Sequence, residues 1–486
     1  MMQDWANWAI ETAKRRGASY ADARVMDIRQ REITTKNAEV GTLVESESLG
    51  IGVRVVASGA WGFASTDRLT REGVQACAAE AVAIAKASAL AKREDVAMAP
   101  EEVFVDTWQN PFLKDPFRVP VERQIDLLLA ADKEMLSVKG VTLAEGAMTF
   151  RRIDQLFASS TGSVIQQVKM QSGGGIVATS FANGEIQKRS YPNSFGGQHM
   201  LQGYELIESM DLAGNARRIG EEAVALHAAA QCPEGTRTVI LGASQLSLQI
   251  HESIGHPIEL DRVLGQEANF AGMSFLTVDK LRNLKYGSEI VNVVADARLA
   301  HGPGLGTFAY DDEGVPAQCT PIITNGLFTG YLSNRETASA IGETRSNGTM
   351  RTESWNRLPI IRMTNVSLNP GTWKYDDLIA DTDDAILMET NRSWSIDDRR
   401  YLFQFSTEIG WEIKNGKKTR MIKNPSYSGI TTEFWNSCDA ICSREHWTLW
   451  GTPNCGKGQP MQTMGTGHGA APARFRNIRV GVAFAK

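Results

Sequence analysis

Residues 249–257 read Gln-Ile-His-Glu-Ser-Ile-Gly-His-Pro, a His-Glu-x-x-x-His pattern near the middle of the chain. Neutral imidazoles are common zinc ligands, and a carboxylate beside them can take a proton from a metal-bound water. His251 and His256 are therefore candidate metal ligands. Glu252, which directly follows the first histidine, is the candidate catalytic residue.

The spacing of the two histidines predicts an irregular helix. They are five residues apart, whereas the common zinc motif places them four apart on one helix face. A separation of five on a regular helix sets two side chains roughly 140° apart, too far around the axis to share an ion. Gly255 weakens the helix, and Pro257 disfavours helical dihedral angles at His256. We therefore expect either a π-bulge or a helix that ends at Gly255.

Composition excludes several classes of protein. The chain has 486 residues and a net charge of -5, with no basic block, so we expect no nucleic-acid partner. No apolar run approaches the roughly 18 residues that cross a bilayer, so we expect no membrane partner. The basic cluster at 14–16 follows the first apolar residues, which is the reverse of a secretory signal, and the 6 cysteines form no disulfide framework. These features predict a cytoplasmic protein.

The order of predicted elements divides the chain in two. Residues 1–232 contain β-rich segments and helices without the regular alternation of a parallel sheet. Residues 233–486 are mostly strands that follow the helix carrying His251. We therefore predict an α+β protein. Its N-terminal domain is an antiparallel sheet with helices, and its C-terminal domain is β-rich, barrel-like or a sandwich, and carries one motif helix.

A third metal ligand is needed, because a catalytic zinc usually has three protein ligands. On chemistry alone, several side chains remain candidates: Glu259, Asp261, His301, Cys438, Cys442, His446, Cys455 and His468. Cys455 has the most distinctive surroundings, since the Gly- and Pro-rich segment 453–460 predicts a loop. A thiolate suits zinc, and we expect Lys457 to favour the ionised thiol. The alternative is a buried free cysteine at a turn.

Two stretches together resemble the TldD/PmbA family of zinc metallopeptidases. One is the histidine motif followed by Ile258-Glu259-x-Asp261, and the other is Asn454-Cys455-Gly456-Lys457-x-Gln459. Shorter matches follow the family's order along nearly the whole chain, at 50–55, 61–63, 310–316, 362–365 and 415–417. The chain departs from the family pattern at Pro257 and within 346–351.

The resemblance implies a function and a set of site residues. It implies that His251, His256 and Cys455 bind Zn2+ and that Glu252 is the catalytic carboxylate. It further implies a peptidase that degrades unfolded peptides or trims leader peptides. Such proteins pair, so we expect a homodimer or a heterodimer with a TldE/PmbA-type subunit.

This interpretation implies a mechanism and leaves two alternatives open. Glu252 would assist the attack of zinc-bound water on a peptide carbonyl, and a thiolate ligand would make zinc a weaker Lewis acid. The peptide could bind as an added strand of the β-rich domain. The alternatives are a zinc amidase or deacylase acting on a small substrate, and a non-catalytic partner subunit whose fold zinc stabilises.

Overall fold

The computed structural model describes residues 1–270 and 272–482. An eight-stranded sheet and five helices make up the N-terminal region. In chain order its elements are α1 (Met2–Arg15), β1 (Tyr20–Lys36), β2 (Glu39–Ala57), β3 (Ala60–Thr66), α2 (Arg71–Ser88), β4 (Val105–Gln109), α3 (Val121–Leu136), β5 (Val141–Ser159), β6 (Val164–Ala182), β7 (Glu185–Tyr191), β8 (Gln198–Met200), α4 (Glu205–Met210) and α5 (Leu212–Ala225). The strand order is β3-β2-β1-β5-β6-β4, and β7 and β8 also pair with β6.

The two faces of this sheet have different surroundings, because alternate side chains of a strand point to opposite faces. On β1, Ala23 and Val25 belong to an apolar cluster that includes buried residues of α1 and α2. A second cluster joins α3 and α5 to β5 and β6. The opposite face is more polar and meets the C-terminal region. There Gln155 donates a hydrogen bond to Asp312 (2.6 Å).

The C-terminal region contains sixteen strands and four helices within the described residues. Its elements are β9 (Ala230–Gln231), β10 (Gly235–Leu241), α6 (Ala243–Ile250), α7 (Leu260–Val263), β11 (Val293–Asp296), β12 (Cys319–Thr324), β13 (Leu327–Phe328), β14 (Met350–Arg351), β15 (Ile360–Ile361), β16 (Val366–Leu368), α8 (Tyr375–Ala380), β17 (Asp384–Ile396), β18 (Leu402–Lys414), β19 (Lys417–Lys423), β20 (Pro425–Ile430), α9 (Thr431–Asn436), β21 (Cys438–Ile441), β22 (Thr448–Lys457), β23 (Gln462–Ala470) and β24 (Ala473–Val482).

Five of these strands close into a barrel. β17 pairs with β10 and β18, β24 pairs with β10 and β20, and β20 pairs with β18. The predicted α+β class, with a mainly antiparallel N-terminal sheet and a barrel-like C-terminal region, is thereby confirmed. Helix α6 follows β10 directly and contacts β17 and the β22–β23 hairpin, so it is held between the barrel and that hairpin.

The division of the chain into residues 1–232 and 233–486 stays a prediction. Strand β9, which lies just before the predicted boundary, already pairs with β19 of the barrel sheet. Across residues 1–270 and 272–482, no helix is long and apolar enough to cross a membrane.

Candidate metal centre

The histidine motif lies at the end of α6, where the helix changes its winding. The α-helical part ends at Ile250, and a π turn covers His251–Gly255. The N–H of His256 bonds the carbonyl of His251, five residues earlier (3.1 Å). A π turn brings residues five apart to the same side of a helix, so both imidazoles can approach one point. The predicted distortion is confirmed.

Gly255 leaves room for this π turn. A Cβ atom on Gly255 would lie 2.1 Å from the sulfur of Met363, which is buried in the C-terminal core. No side chain fits at that distance, so any larger residue at position 255 would push the turn or Met363 aside. The glycine therefore serves packing as well as helix geometry.

His251, His256 and Cys455 come together in the structure. Each offers one possible ligand atom within 4.8 Å of the other two, and all three side chains are buried. The Sγ of Cys455 lies 3.5 Å from the Nε2 of His256. Tetrahedral zinc with ordinary Zn–N and Zn–S bonds would separate these atoms by roughly 3.5 Å. The donor set and its spacing therefore fit zinc.

Glu259 orients His256. Its Oε2 accepts a hydrogen bond from the Nδ1 of His256 (3.0 Å), which leaves the Nε2 lone pair on the side of Cys455. Arg262 and Lys457 each lie 3.4 Å from the Glu259 carboxylate. Burial raises the pKa of Glu259, but Lys457 and the bond from His256 outweigh it and hold the pKa well below its usual value. Glu259 is therefore an ionised hydrogen-bond acceptor.

A second histidine orients His251. The Nδ1 of His251 lies 2.7 Å from the Nε2 of His468, and the Nδ1 of His468 lies 3.0 Å from the carbonyl of Val366. Because a carbonyl only accepts, His468 carries its hydrogen on Nδ1 and accepts from His251 at Nε2. Burial lowers the pKa of His251 to about 4 and that of His468 well below its usual value. Both rings are therefore neutral, and the Nε2 of His251 has a lone pair for a metal.

Cys455 lies on strand β22, so the prediction that segment 453–460 is a loop is wrong for its first half. β22 runs through Lys457 and pairs with β23. The register shifts between Thr452 and Cys455, where Pro453 has no N–H to give to the ladder. The proline therefore marks an irregularity inside a hairpin. A rigid strand, and not a mobile loop, positions the sulfur.

The charges near the Cys455 thiol differ from those expected. Burial raises its pKa, but Arg362 and His256 outweigh burial, and the net pKa lies below the usual value for cysteine. Lys457, from which the sequence predicted this effect, instead donates hydrogen bonds to Asp261 (2.7 Å) and to the backbone (2.7 Å). The sequence alone did not indicate that Arg362 lies near this thiol.

Glu252 lies in the π turn and is held by Arg400. The Nη1 of Arg400 donates to the Oε2 of Glu252 (2.7 Å). Arg400 is at the tip between β17 and β18, with a left-handed φ of 64°. The hydroxyl of Thr431 donates to the Arg400 carbonyl (3.0 Å) and helps to fix the tip. No spacing in the sequence connects this arginine to the motif, so sequence reasoning missed it.

The other candidate ligands do not join the cluster. Glu259 and His468 bond two of the proposed ligands, as described above. The remaining five are engaged as follows: Asp261 with Lys457, His301 with Ser367, His446 with the N–H of Tyr375, and Cys438 and Cys442 in the apolar core. Among the residues that the structure describes, only His251, His256 and Cys455 form a group with the geometry of a metal site.

Comparisons with known proteins identify related metalloproteases. The profile described as PmbA/TldA metallopeptidase C-terminal domain matches residues 234–481, and that of PmbA/TldA metallopeptidase domain 1 matches residues 21–85. A protein of Methanothermobacter thermautotrophicus named metalloprotease is 30% identical, over 95% of this chain and 95% of its own length. A Saccharolobus solfataricus protein named zinc metalloprotease TldD homolog is 26% identical, over 43% of this chain and 44% of its own.

A solved structure shares the whole fold. TldE from Thermococcus kodakarensis matches with a TM-score of 0.69 and 15% identity, over 98% of this chain and 100% of that one. At this level of identity, the likeness concerns the fold alone.

Proposed function

Because the chain belongs to the PmbA/TldD metallopeptidase family, we propose that it is a zinc-dependent peptidase that degrades unfolded peptides or trims leader peptides. One observation carries the proposal: His251, His256 and Cys455 form a buried cluster with the spacing of a zinc site, and Glu252 is adjacent in sequence to the first of them. The relative named as a zinc metalloprotease supports the choice of metal.

The chain's residues would hold the ion in a fixed arrangement. Three protein ligands are the usual number in a catalytic zinc site. When bound, zinc would lower the pKa of a water molecule and polarise the substrate carbonyl, and a thiolate ligand would moderate both effects. Glu259 and His468 keep the two imidazoles in the tautomer that presents Nε2.

Glu252 would carry the proton during hydrolysis. Its carboxylate would accept a proton from the attacking water and pass it to the leaving amine. Arg400 bonds one carboxylate oxygen, Oε2, so the carboxylate has a fixed orientation and the other oxygen can take the proton. Both groups are largely buried, which keeps bulk water from competing for the same bonds.

The protein would act as a homodimer or as a heterodimer with a TldE/PmbA-type subunit. The fold that it shares with TldE of Thermococcus kodakarensis supports a partner of the same shape. The peptide would bind in extended form through backbone hydrogen bonds, with little selection of side chains except where a charged subsite exists.

Glu252→Gln tests the proposed function. The amide cannot accept the proton, so cleavage of an unfolded peptide should fall by at least about a hundredfold while zinc content stays at the wild-type level. Glu289→Gln, at an exposed position, is the matched control and should retain both. Full cleavage by Glu252→Gln would contradict the proposal.

Hydrolysis of small acyl amides but of no peptide would instead indicate an amidase or deacylase. Biological activity that survives Glu252→Gln would indicate a non-catalytic subunit.

A further inference from the structure

A small internal cavity of about 40 Å³ lies between the polar face of the N-terminal sheet and the C-terminal region. The sheet contributes Arg151 on β5 and Lys169 on β6, and the C-terminal region contributes Arg351 on β14 and Met464 on β23. Met464 is the cross-strand neighbour of Cys455. Directly paired residues of two strands have side chains on the same face, so the cavity borders the metal centre.

Three cations line this cavity without a carboxylate partner. Within residues 1–270 and 272–482, Arg151, Lys169 and Arg351 form no ion pair. Arg351 donates three hydrogen bonds, all to backbone carbonyls, which do not neutralise its charge. Arg151 donates to the carbonyl of Glu353 (2.7 Å), and its buried Nε has no acceptor in the described part of the chain. These guanidinium groups are anchored, but Glu353 and Asp312 act on Arg151 and Arg351 only from beyond ion-pair distance.

Lys169 is the least satisfied of the three. Its ammonium has no hydrogen bond to any residue that the structure describes, and it lies 5.9 Å from the centre of the Phe308 ring. Burial lowers the pKa of Lys169 to about 8, Asp312 opposes this shift, and Arg351 and Arg151 add to it. A partly buried ammonium beside two guanidinium groups is unfavourable unless an anion joins them.

The carboxylates in the cavity wall do not supply that anion. Asp311 accepts hydrogen bonds from three backbone N–H groups, and Asp312 accepts one from Gln155 (2.6 Å). Neither carboxylate lies within ion-pair distance of Lys169 or the two arginines in the described chain. The wall therefore has three cations and two carboxylates that are bonded elsewhere, and burial together with Glu313 raises the pKa of Asp311 well above its usual value.

The size of the cavity and its entrance limit what can bind. A volume of about 40 Å³ holds about three water molecules, which suits a carboxylate group and excludes a large apolar side chain. A wider groove of about 390 Å³ shares Arg151 and Gln171 with the cavity. Pro453 and Asn454, which precede Cys455, also line that groove. The carboxylates of Glu32 and Glu353 line the groove as well. A peptide in the groove would lie beside the strand that carries Cys455, with the cavity at its side.

We propose that this cavity is a carboxylate-binding subsite, in which Lys169, Arg151 and Arg351 receive an acidic group of the peptide substrate. The inference rests on the proposed peptidase function and narrows its substrate class to peptides with a carboxylate near the cleaved bond. The carboxylate belongs either to the C-terminus of the peptide or to an aspartate or glutamate side chain, because both present the same group to the three cations.

Matched peptides test the subsite on the zinc-loaded, full-length protein. In the first pair, two peptides of the same sequence end in a free carboxylate and in a carboxamide. In a second series of pairs, Glu is compared with Gln at each position in turn. Binding is measured by fluorescence anisotropy of labelled peptides on Glu252→Gln, and kcat/KM is measured on the wild type. A charge-assisted bond predicts a preference of about tenfold or more for the carboxylate member of one pair. The pair that shows it identifies the source of the carboxylate.

Variants of Lys169 connect the preference to the cavity. Lys169→Met removes a charge that has no ion-pair partner in the described chain, so the thermal midpoint should not fall, while the carboxylate-bearing peptide should bind no more tightly than its neutral counterpart. Lys169→Arg should keep the preference. Lys36→Met, at an exposed position of the same sheet, is the control and should behave as the wild type. A preference that survives Lys169→Met would overturn the proposal.

The outcomes separate this inference from the proposed function. Equal binding of acid and amide, and of Glu and Gln at every position, would overturn the subsite even if all the peptides were cleaved. A carboxylate preference in binding that depends on Lys169, without cleavage by the wild type, would support the subsite and contradict the peptidase. Because the peptide pairs are first compared on Glu252→Gln, the absence of a carboxylate preference would overturn the subsite whether or not a Lys169 variant folds.

Discussion

At the scale of single residues, the metal centre depends on which nitrogen of each imidazole carries a hydrogen. Glu259 holds the Nδ1–H of His256, and His468 accepts the Nδ1–H of His251. Both Nε2 atoms are then free of hydrogen. The tautomer of His468 is fixed in turn, because its Nδ1–H donates to a backbone carbonyl.

Glu259→Gln should weaken zinc binding without removing a ligand. The amide is a weaker acceptor for the His256 Nδ1–H and leaves Arg262 and Lys457 without their shared carboxylate. Loss of such an orienting carboxylate typically costs about 10- to 100-fold in metal affinity. Competition with a chromophoric chelator measures the affinity. Glu267→Gln is the matched control and should bind zinc normally, because within the described residues the carboxylate of Glu267 accepts one hydrogen bond, from the N–H of Gly458 (3.2 Å). An unchanged affinity in Glu259→Gln would refute the orienting role.

Arg400→Ala should separate catalysis from metal binding. Arg400 bonds Glu252 and none of the proposed ligands, so zinc content and KM should stay near wild type. Loss of a charge-assisted hydrogen bond to the carboxylate should lower kcat by about 10- to 100-fold. Arg399→Ala, which removes the exposed neighbour on the same hairpin tip, should have little effect. If kcat were the same in Arg400→Ala and the wild type, Arg400 would have no part in positioning Glu252.

Sequence reasoning found some of these residues and missed others for a physical reason. His251, Glu252 and His256 are close in sequence, and their spacing resembles that of a known zinc-binding motif. Cys455 was one of eight candidates until a family resemblance selected it. His468 was among those eight only as a possible ligand. Its bond to His251 and the bond of Arg400 to Glu252 span 217 and 148 residues, and no local pattern encodes such contacts. Their roles require the three-dimensional structure.

At the scale of elements, the π turn at the end of α6 brings His251 and His256, which are five residues apart, to the same side of the helix. Gly255 and Pro257 were sufficient to predict a distortion, because both act through local backbone preferences. Segment 453–460 shows the limit of the same reasoning. Glycines and prolines also occur at strand irregularities and hairpin turns, so their presence did not distinguish a loop from the β22–β23 hairpin.

Gly255→Ala should disturb both packing and metal binding. The added methyl group would collide with the sulfur of Met363, and overpacking of this kind costs about 1 to 3 kcal/mol. Thermal unfolding and zinc content measure the two effects. Gly429→Ala, where the added Cβ has ordinary contacts, is the control and should change neither. Combining Gly255→Ala with Met363→Ala should recover part of the zinc content, since the second change makes room. Full zinc binding by Gly255→Ala alone would show that the turn tolerates the methyl group.

At the scale of the whole molecule, the fold brings distant parts of the chain to one site. Alternating and apolar segments were enough to predict an α+β protein with a β-rich C-terminal part. They could not predict that β10 pairs with β24, because strand pairing between distant segments leaves no local signal. That pairing closes the barrel on which α6 rests. The polar face of the N-terminal sheet then packs against the C-terminal region, next to Met464.

In the proposed centre, a metal would join the end of α6 to β22. The His256 and Cys455 side chains meet across 199 residues of sequence. A zinc site made of two histidines and one cysteine has a signature that other sites lack, since one sulfur at about 2.3 Å accompanies nitrogens at about 2.0 Å. Thermal stability or activity alone would not identify these atoms.

Zinc K-edge X-ray absorption of the purified, zinc-loaded protein measures this signature directly. The wild type should show one sulfur and two imidazole nitrogens in the first coordination shell, completed by a light atom from solvent. Cys442→Ala, which changes a buried cysteine outside the cluster, should give the same spectrum. A first shell of nitrogen and oxygen only, or a sulfur contribution that persists in Cys455→Ala, would contradict the proposed centre.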